Sequence, residues 1–107
     1  MKLFAALLAL FCLTSTAYAD AAAPSPELIA KGRDLFNKKE GLGVKFACIL
    51  CHAKDKAIKQ SDIAKAGDKL PAVINKYVTQ KSKGPALDPA SENMQALMAY
   101  IKHEHAK

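Results

Sequence analysis

The stretch that decides the fold is Cys48-Ile49-Leu50-Cys51-His52, which lies within the run ACILCHAK at residues 47–54. Two cysteines lie two residues apart, and a histidine follows the second one directly. Cysteines at this spacing occur in zinc sites, in redox-active dithiol pairs and in sites of covalent haem attachment. The rest of the sequence discriminates among these three chemistries.

The sequence disfavours both a zinc site and a redox-active pair. A structural zinc site needs four ligands, usually from a second Cys or His pair at similar spacing. The sequence has no second C-x-x-C, and its other histidines, His103 and His105, belong to a helix end where we expect exposed side chains. A thioredoxin-like pair follows a β-strand, and no alternating apolar pattern of useful length is present.

Covalent haem attachment is the third chemistry, and C-x-x-C-H is its sequence signature. Each thiol adds to one vinyl group of the haem. The two-residue gap lets Cys48 and Cys51 reach neighbouring vinyl groups from one turn of the chain. His52 is then placed at the iron as its proximal ligand. We therefore expect one covalently bound haem c, held by these three residues.

The first residues resemble an export signal. Lys2 supplies a positive charge, residues 3–13 form an uninterrupted apolar run, and residues 17–19 form an A-x-A cleavage site. These three parts predict a signal peptide over residues 1–19. The apolar run is shorter than the roughly 20 residues that a membrane span needs. Export predicts a periplasmic location, where c-type haem is attached in bacteria, and cleavage removes Cys12.

After cleavage the sequence predicts a flexible leader at residues 20–24 and one small domain at residues 25–107. A domain of this size usually needs a staple such as a disulfide, a metal or a cofactor. Without Lys2 the chain has 15 basic residues against 10 acidic ones, and the basic residues are scattered and almost all lysine. Nucleic-acid binding favours clustered basic patches with arginine. Scattered lysines suit redox partner proteins with acidic docking surfaces, so we expect no nucleic acid and no membrane attachment.

The first half of the domain predicts one clear helix. Ser25-Pro26-Glu27 has the features of a helix start: a capping serine, proline in the first turn and an acidic residue. Residues 37–43 contain two glycines and end the helix. Residues 53–69 are rich in lysine and predict a loop with at most one helical turn. The apolar face of the helix consists of Leu28, Gly32, Leu35 and Phe36.

The second half predicts two further helices. One begins at residues 68–71, and a loop at residues 79–87 follows it, marked by Gly84-Pro85. Asp88-Pro89 is expected to open the last helix, with Asp88 as its cap. The apolar face of the middle helix consists of Val73, Ile74, Tyr77 and Val78, and that of the last helix consists of Met94, Leu97, Met98 and Ile101. The fold class predicted is all-α.

In this order the features resemble the small class I c-type cytochromes over about residues 25–105. In that family the first and last helices cross closely, a glycine lets the backbones approach, and large side chains fill the contact. Gly32 with Phe36, and Leu97 with Tyr100, match that arrangement. The resemblance therefore implies a cytochrome c-like fold with the terminal helices crossing and a haem in a cleft.

The chain departs from the family at the second axial position of the iron. Class I cytochromes usually place a methionine in the loop ahead of the last helix, but residues 79–89 contain none. Met94 and Met98 lie inside the last helix, where methionine most often fills the core. Met94 stays a candidate ligand, and an open position is an alternative. The other candidates are Met98, Lys81, Lys83, Asn75, Gln80, His103 and His105.

Two functions follow from the resemblance. The first is a periplasmic carrier that transfers single electrons and is not itself an enzyme. The second is a ligand-binding haem protein for a diatomic gas, or the haem subunit of a larger periplasmic redox complex. The missing loop methionine motivates the second function, because an open iron position binds small ligands. The apolar shell expected around the haem consists of Leu35, Phe36, Leu50, Ile74, Leu97 and Tyr100.

Overall fold

A computed structural model of the chain describes residues 23–107, and helices are its only long regular elements. In this range the α-helices are α1 at Pro26–Asn37, α2 at Gln60–Ala66, α3 at Leu70–Gln80 and α4 at Glu92–Tyr100. Short 3₁₀ turns occupy Cys48–Leu50, Lys54–Lys56 and Gly67–Lys69, and a π-helical turn at Ile101–His105 continues α4. Within residues 23–107 there is no β-strand, so the all-α prediction is confirmed.

Part of the sequence-based interpretation concerns residues that lie outside the described ones. These are the signal peptide at 1–19, with Cys12, and the first three residues of the leader. Among the helices that the structure does describe, none combines the length and the apolar composition that crossing a membrane requires.

Helix α1 begins as its sequence predicts. The Ser25 hydroxyl accepts a hydrogen bond from the Leu28 N–H at 3.1 Å, and Pro26 occupies the first turn. A serine cap satisfies one of the backbone N–H groups that the first turn leaves without a partner, which stabilises the helix by about 1 kcal/mol. The helix ends at Asn37 and buries Gly32, Leu35 and Phe36.

Helices α1 and α4 form the main helix–helix contact of the domain. Gly32 lies where they cross: a Cβ atom at this position would lie 2.0 Å from the Ala96 carbonyl oxygen and 2.7 Å from the Tyr100 Cβ. Phe36 and Tyr100 pack beside the crossing, with ring centroids 5.3 Å apart. The predicted crossing of the terminal helices is therefore confirmed, and the architecture is compatible with a cytochrome c-like fold.

Two salt bridges at the surface link α1 to α4 and to the π-helical turn that follows it. Lys31 pairs with Glu92 at 2.8 Å, and the Arg33 guanidinium makes two hydrogen bonds of 2.6 Å to the Glu104 carboxylate. The Arg33 guanidinium lowers the pKa of the Glu104 carboxyl. Exposed pairs of this kind contribute little to stability because water and salt screen them, so the buried crossing, rather than these pairs, holds the helices together.

The prediction of a loop over residues 53–69 was wrong for its second half. Residues Gln60–Ala66 form the two-turn helix α2, and the Gly67–Lys69 turn connects it to α3. Ile63 is the one large apolar residue of this helix, and it is buried in the core with Leu70. A single buried isoleucine leaves no repeating apolar stripe, and for that reason the helical period was invisible in the sequence.

The predicted start of the last helix was also wrong. Asp88 caps a separate turn, since its carboxylate accepts from the Ala90 N–H at 2.9 Å and its carbonyl accepts from the Ser91 N–H at 2.9 Å. Helix α4 begins only at Glu92, where the Ser91 hydroxyl accepts from the Met94 N–H at 3.2 Å. Two cap-forming residues lie three positions apart, and the later one starts the helix.

Candidate functional site

The C-x-x-C-H segment forms one tight turn between α1 and α2. The Leu50 N–H donates to the Ala47 carbonyl, and the N–H groups of Cys51 and His52 both donate to the Cys48 carbonyl at 3.1 Å. This winding brings both cysteine side chains and the histidine into the lining of the same cavity. Cys48, Cys51 and His52, which the sequence groups at one site, therefore line one wall of this cavity.

The cavity has a volume of about 570 Å³, within the range of about 300–1,000 Å³ that is usual for ligand and cofactor sites. Its other walls come from the end of α1, from α2, from α3 and from α4, and they are mainly apolar. The apolar lining includes Phe36, Phe46, Ile58, Ile63, Leu70, Val73, Ile74, Val78, Leu97 and Ile101. Walls of this composition suit an apolar ligand with a few polar contacts.

Three large apolar side chains of the lining are exposed. Phe46 is 48% exposed, Val73 37% and Tyr77 49%. The sequence placed Val73 and Tyr77 on the packed face of the middle helix, but α3 packs through Leu70, Ile74 and Val78 instead. Helix α3 thus has more apolar residues than its packing against the core covers. The additional ones, Val73 and Tyr77, line the cavity.

The expected apolar shell is only partly correct. Phe36, Ile74 and Leu97 line the cavity, but Leu35 and Tyr100 belong to the core outside its lining. Leu50 was expected beside them and is 67% exposed. Leu50 lies between the two cysteines, so a turn that directs both thiols into one wall leaves it on the outside. Phe46, two residues before Cys48, lines the cavity instead. It is the one aromatic residue in a stretch with several lysines and glycines, and that isolation could have identified it as a lining residue.

A backbone carbonyl holds the imidazole of His52. The His52 Nδ1 lies 3.3 Å from the Lys56 carbonyl oxygen. A carbonyl oxygen only accepts, so this contact favours the neutral tautomer with the proton on Nδ1 and a free lone pair on Nε2. Histidines that bind metals are usually oriented by such a second hydrogen bond, which also raises the basicity of the ligating nitrogen. The contact with the Lys56 carbonyl therefore favours the tautomer that an Nε2 ligand requires.

The two thiols do not have the properties of a redox-active pair. Both are free, with Cys48 half-buried and Cys51 exposed. Burial raises the pKa of the Cys48 thiol, and its neighbour Cys51 adds to the rise. Reactive thiols in C-x-x-C enzymes have a lowered pKa and sit at the start of a helix that follows a strand. The pKa of the Cys48 thiol is raised instead, and within residues 23–107 no strand precedes it. In residues 23–107 no three Cys, His, Asp or Glu side chains converge as a zinc site would need.

Only one of the candidates for the second axial ligand lines the cavity, and it is Lys81. Met94 is 0% exposed and packs in the core, and Met98 packs against the same core from a half-buried position. Lys83, Gln80 and His103 are exposed and lie outside the lining. The position of Lys81 follows from helix α3, which ends at Gln80 and leaves the next residue at the cavity wall.

Asn75 is held by hydrogen bonds away from the cavity. Its Nδ2 donates to the Leu87 carbonyl at 2.8 Å, and its Oδ1 accepts from the Leu87 N–H at 2.7 Å. This pair of bonds ties the loop that follows α3 back to the helix. Both the nitrogen and the oxygen of the amide are engaged with Leu87, so Asn75 has a structural role.

We expect Asn75→Leu to destabilise the protein by about 1–3 kcal/mol, because it leaves both partly buried backbone groups of Leu87 without a partner. Thermal unfolding measures the loss, and amide exchange at Leu87 locates it. Lys76→Leu, on the exposed face one residue later, is the control and should change neither. Normal protection of the Leu87 N–H in Asn75→Leu would contradict the role assigned to Asn75.

Met94 can be tested in the same direct way. Replacing it with leucine conserves volume, so we expect Met94→Leu to cost less than about 1.5 kcal/mol. Because Met94 lies outside the cavity lining, the absorption spectrum of the protein should also stay unchanged. Met98→Leu is the matched control in the same helix. A change of spectrum in Met94→Leu alone would make Met94 an iron ligand and contradict its assignment to the core.

His105 is a residue whose role the sequence interpretation missed. It was expected to be exposed near a helix end, but it is 8% exposed. Its ring packs on Phe36 with centroids 4.5 Å apart, and its Nε2 accepts a hydrogen bond from the Ile58 N–H at 3.1 Å. Burial lowers the pKa of the His105 imidazole, and His52 and Lys107 lower it further. The spacing Leu97, Ile101, His105 continues the apolar stripe of the last helix, and that signal could have identified it.

No family model, curated protein or solved structure matches this chain.

Proposed function

We propose that this protein is a monohaem c-type cytochrome of the periplasm that transfers single electrons. The observation that carries the proposal is the turn at residues 48–52, which presents two free thiols and an oriented imidazole on one wall of a large apolar cavity. C-x-x-C-H with this geometry matches the requirements of covalent haem attachment, and the all-α fold is compatible with the family that the sequence resembles.

The residues of the cavity fit a haem. Cys48 and Cys51 would form the thioether bonds, and the Nε2 of His52 would bind the iron. The raised pKa of the Cys48 thiol is no obstacle, because thioether formation adds the S–H group across a vinyl bond. When bound, the haem supplies an iron that cycles between the ferrous and ferric states.

The chain itself contributes orientation and a low dielectric. The Lys56 carbonyl contacts the His52 Nδ1 and favours the Nδ1–H tautomer, and Phe36, Ile74 and Leu97 contribute apolar walls to the cavity. Both features adjust a haem potential, the first through ligand basicity and the second through the cost of charge in an apolar surrounding. The protein therefore acts as an electron carrier, with no residue assigned to catalysis of its own.

Absorption spectra of the purified protein test the proposal. They are recorded oxidised, reduced, and reduced with carbon monoxide, in a strain able to attach haem. A haem that stays bound after denaturation and gives the spectrum of a c-type haem in alkaline pyridine supports it. Absence of covalent haem from the folded protein overturns it. A low-spin spectrum without prompt carbon monoxide binding supports electron transfer.

One observation favours a second candidate, a haem protein that binds a small exogenous ligand. No methionine lines the cavity within the described residues, and the only lining residue among the candidate axial ligands is an exposed lysine. An iron without a strong second ligand binds diatomic gases. A high-spin ferric spectrum and rapid carbon monoxide binding would favour this candidate over the carrier. The haem subunit of a larger redox complex is a variant that copurification would test.

The lysines at the cavity give the carrier a testable partner preference. Lys56, Lys59 and Lys81 line the cavity and are exposed, against one acidic residue, Asp62. We expect electron transfer to an acidic partner protein to slow by a factor of ten or more as salt rises, because attraction between opposite charges raises association rates by about 10–10³-fold. Stopped-flow kinetics of Lys81→Gln should show a smaller salt dependence than Lys65→Gln, an exposed control on α2 that does not line the cavity. A salt-independent rate would contradict electrostatic steering.

A further inference from the structure

Hydrogen bonds connect the segment that follows the C-x-x-C-H turn to the residues that follow α4. The Ile58 N–H donates to the His105 Nε2 at 3.1 Å, the Lys107 N–H donates to the Ile58 carbonyl at 3.0 Å, and the Gln60 N–H donates to the Lys107 carbonyl at 3.3 Å. The Gln60 side chain adds a bond to the Lys102 carbonyl at 3.2 Å. Four hydrogen bonds therefore fasten residues 58–60 to residues 102–107.

The first of these bonds depends on how His105 is placed. A π-helical turn at Ile101–His105 continues α4, and its last residue packs between aromatic rings, with centroid distances of 4.5 Å to Phe36 and 5.7 Å to Tyr100. Single π-turns in helices are rare and often occur at functional sites. The packed ring can move little, so its Nε2 is a fixed acceptor for the Ile58 N–H.

The fastened segment also carries the group that orients His52. The Lys56 carbonyl, two residues before Ile58, is the partner of the His52 Nδ1. The 3₁₀ turn at Lys54–Lys56 is short and lacks a side-chain cap, so the turn on its own holds this carbonyl weakly. Ile58 is the nearest residue beyond it with a bond to a distant part of the fold.

We propose that His105 is a positioning residue for His52: by fixing Ile58 it holds the Lys56 carbonyl in place, and that carbonyl sets the tautomer and basicity of the His52 ring. The inference rests on the proposed function where it concerns the haem iron. Loss of the hydrogen bond to Nδ1 makes the imidazole a weaker donor, stabilises the ferric state less and raises the reduction potential.

Three variants test this role in the haem-containing protein. His105→Leu keeps bulk but cannot accept a hydrogen bond, whereas His105→Gln offers a side-chain oxygen to the Ile58 N–H. His103→Leu changes an exposed histidine of the same turn and is the control. We expect His105→Leu to raise the reduction potential and to speed amide exchange at Ile58 by at least tenfold. His105→Gln should restore both values most of the way, and His103→Leu should change neither.

Several outcomes overturn the proposal. One is an unchanged potential in His105→Leu while Ile58 exchanges faster, because the bond would then be structural only. Another is an equal shift of potential in the Leu and Gln variants, since restoring the acceptor must restore the value. If His105→Leu does not fold, the comparison of His105→Gln with His103→Leu decides. Wild-type potential and wild-type exchange at Ile58 in His105→Gln support the role, and a raised potential despite wild-type exchange at Ile58 overturns it.

Failure of the proposed function is distinguishable from failure of this inference. If the protein as isolated carries no covalent haem, the ¹⁵N chemical shifts of the His52 ring replace the potential as the readout. A predominant Nδ1–H form in the wild-type protein that becomes mixed in His105→Leu, and returns in His105→Gln, supports the positioning role without haem. The same mixture of forms in all three proteins overturns it.

Discussion

Gly32→Leu is expected to destabilise the protein by about 3 kcal/mol or more. A leucine Cβ at this position would lie 2.0 Å from the Ala96 carbonyl oxygen and 2.7 Å from the Ala96 carbonyl carbon. Both are backbone atoms of α4, so a side-chain rotation cannot relieve the overlap and the helices must separate. Overpacking of a core usually costs about 1–3 kcal/mol, and more when the backbone has to shift.

Thermal unfolding of the purified protein measures this effect. For a domain of this size 1 kcal/mol shifts Tm by about 4–8 °C, so we expect a loss of at least 12 °C together with a lower haem content. Asp34→Leu places the same side chain on the exposed face of α1 and is the control.

Gly32→Ala tests whether stability falls where it would normally rise. Alanine normally stabilises a helix by about 1 kcal/mol relative to glycine. A Tm that rises in Gly32→Ala would contradict the close crossing.

The double variant Cys48→Ala/Cys51→Ala is expected to lose covalently attached haem completely. Each thiol would form one thioether, and the described residues contain no third cysteine. The single variants should each keep one thioether, which shifts the absorption maximum of the pyridine haem complex towards that of a haem with an unsaturated vinyl group. Haem staining after denaturing electrophoresis and the pyridine spectrum measure both changes.

Leu50→Ala is the matched control for the cysteine variants. It lies between the two cysteines and is 67% exposed, so removing its side chain changes neither the thiols nor the cavity lining. We expect a normal content of covalent haem in this variant. Haem that survives denaturation in the double cysteine variant would refute the attachment site.

The features that the sequence predicted well depend on local rules. The first helix start at Ser25-Pro26 needed only a capping hydroxyl and a proline in the first turn. The apolar spacing of Met94, Leu97 and Ile101 was enough to place one face of the last helix in the core. The grouping of Cys48, Cys51 and His52 in one turn likewise follows from their spacing in the chain.

The features that the sequence did not predict depend on which face another element covers. Val73 and Tyr77 look like core residues in the α3 pattern, and only the packing of α3 leaves them at the cavity. Helix α2 buries one isoleucine, which is too weak a pattern to predict a helix. Asp88 and Ser91 both have the properties of a cap, and the hydrogen bonds of the folded loop decided between them.

The order of residues was therefore enough to group the three residues of the candidate site, whereas the tertiary fold determines which other residues pack around them. Cys48, Cys51 and His52 are adjacent in the chain, so local geometry is sufficient to group them. The partner of His52, the Lys56 carbonyl, lies only four residues along the chain. The burial of His105 and its hydrogen bond to Ile58, 47 residues earlier in the chain, depend on tertiary contacts that no local pattern encodes. The same holds for Lys81: nothing in the sequence separates it from the other lysines, and only the end of α3 brings it to the cavity wall.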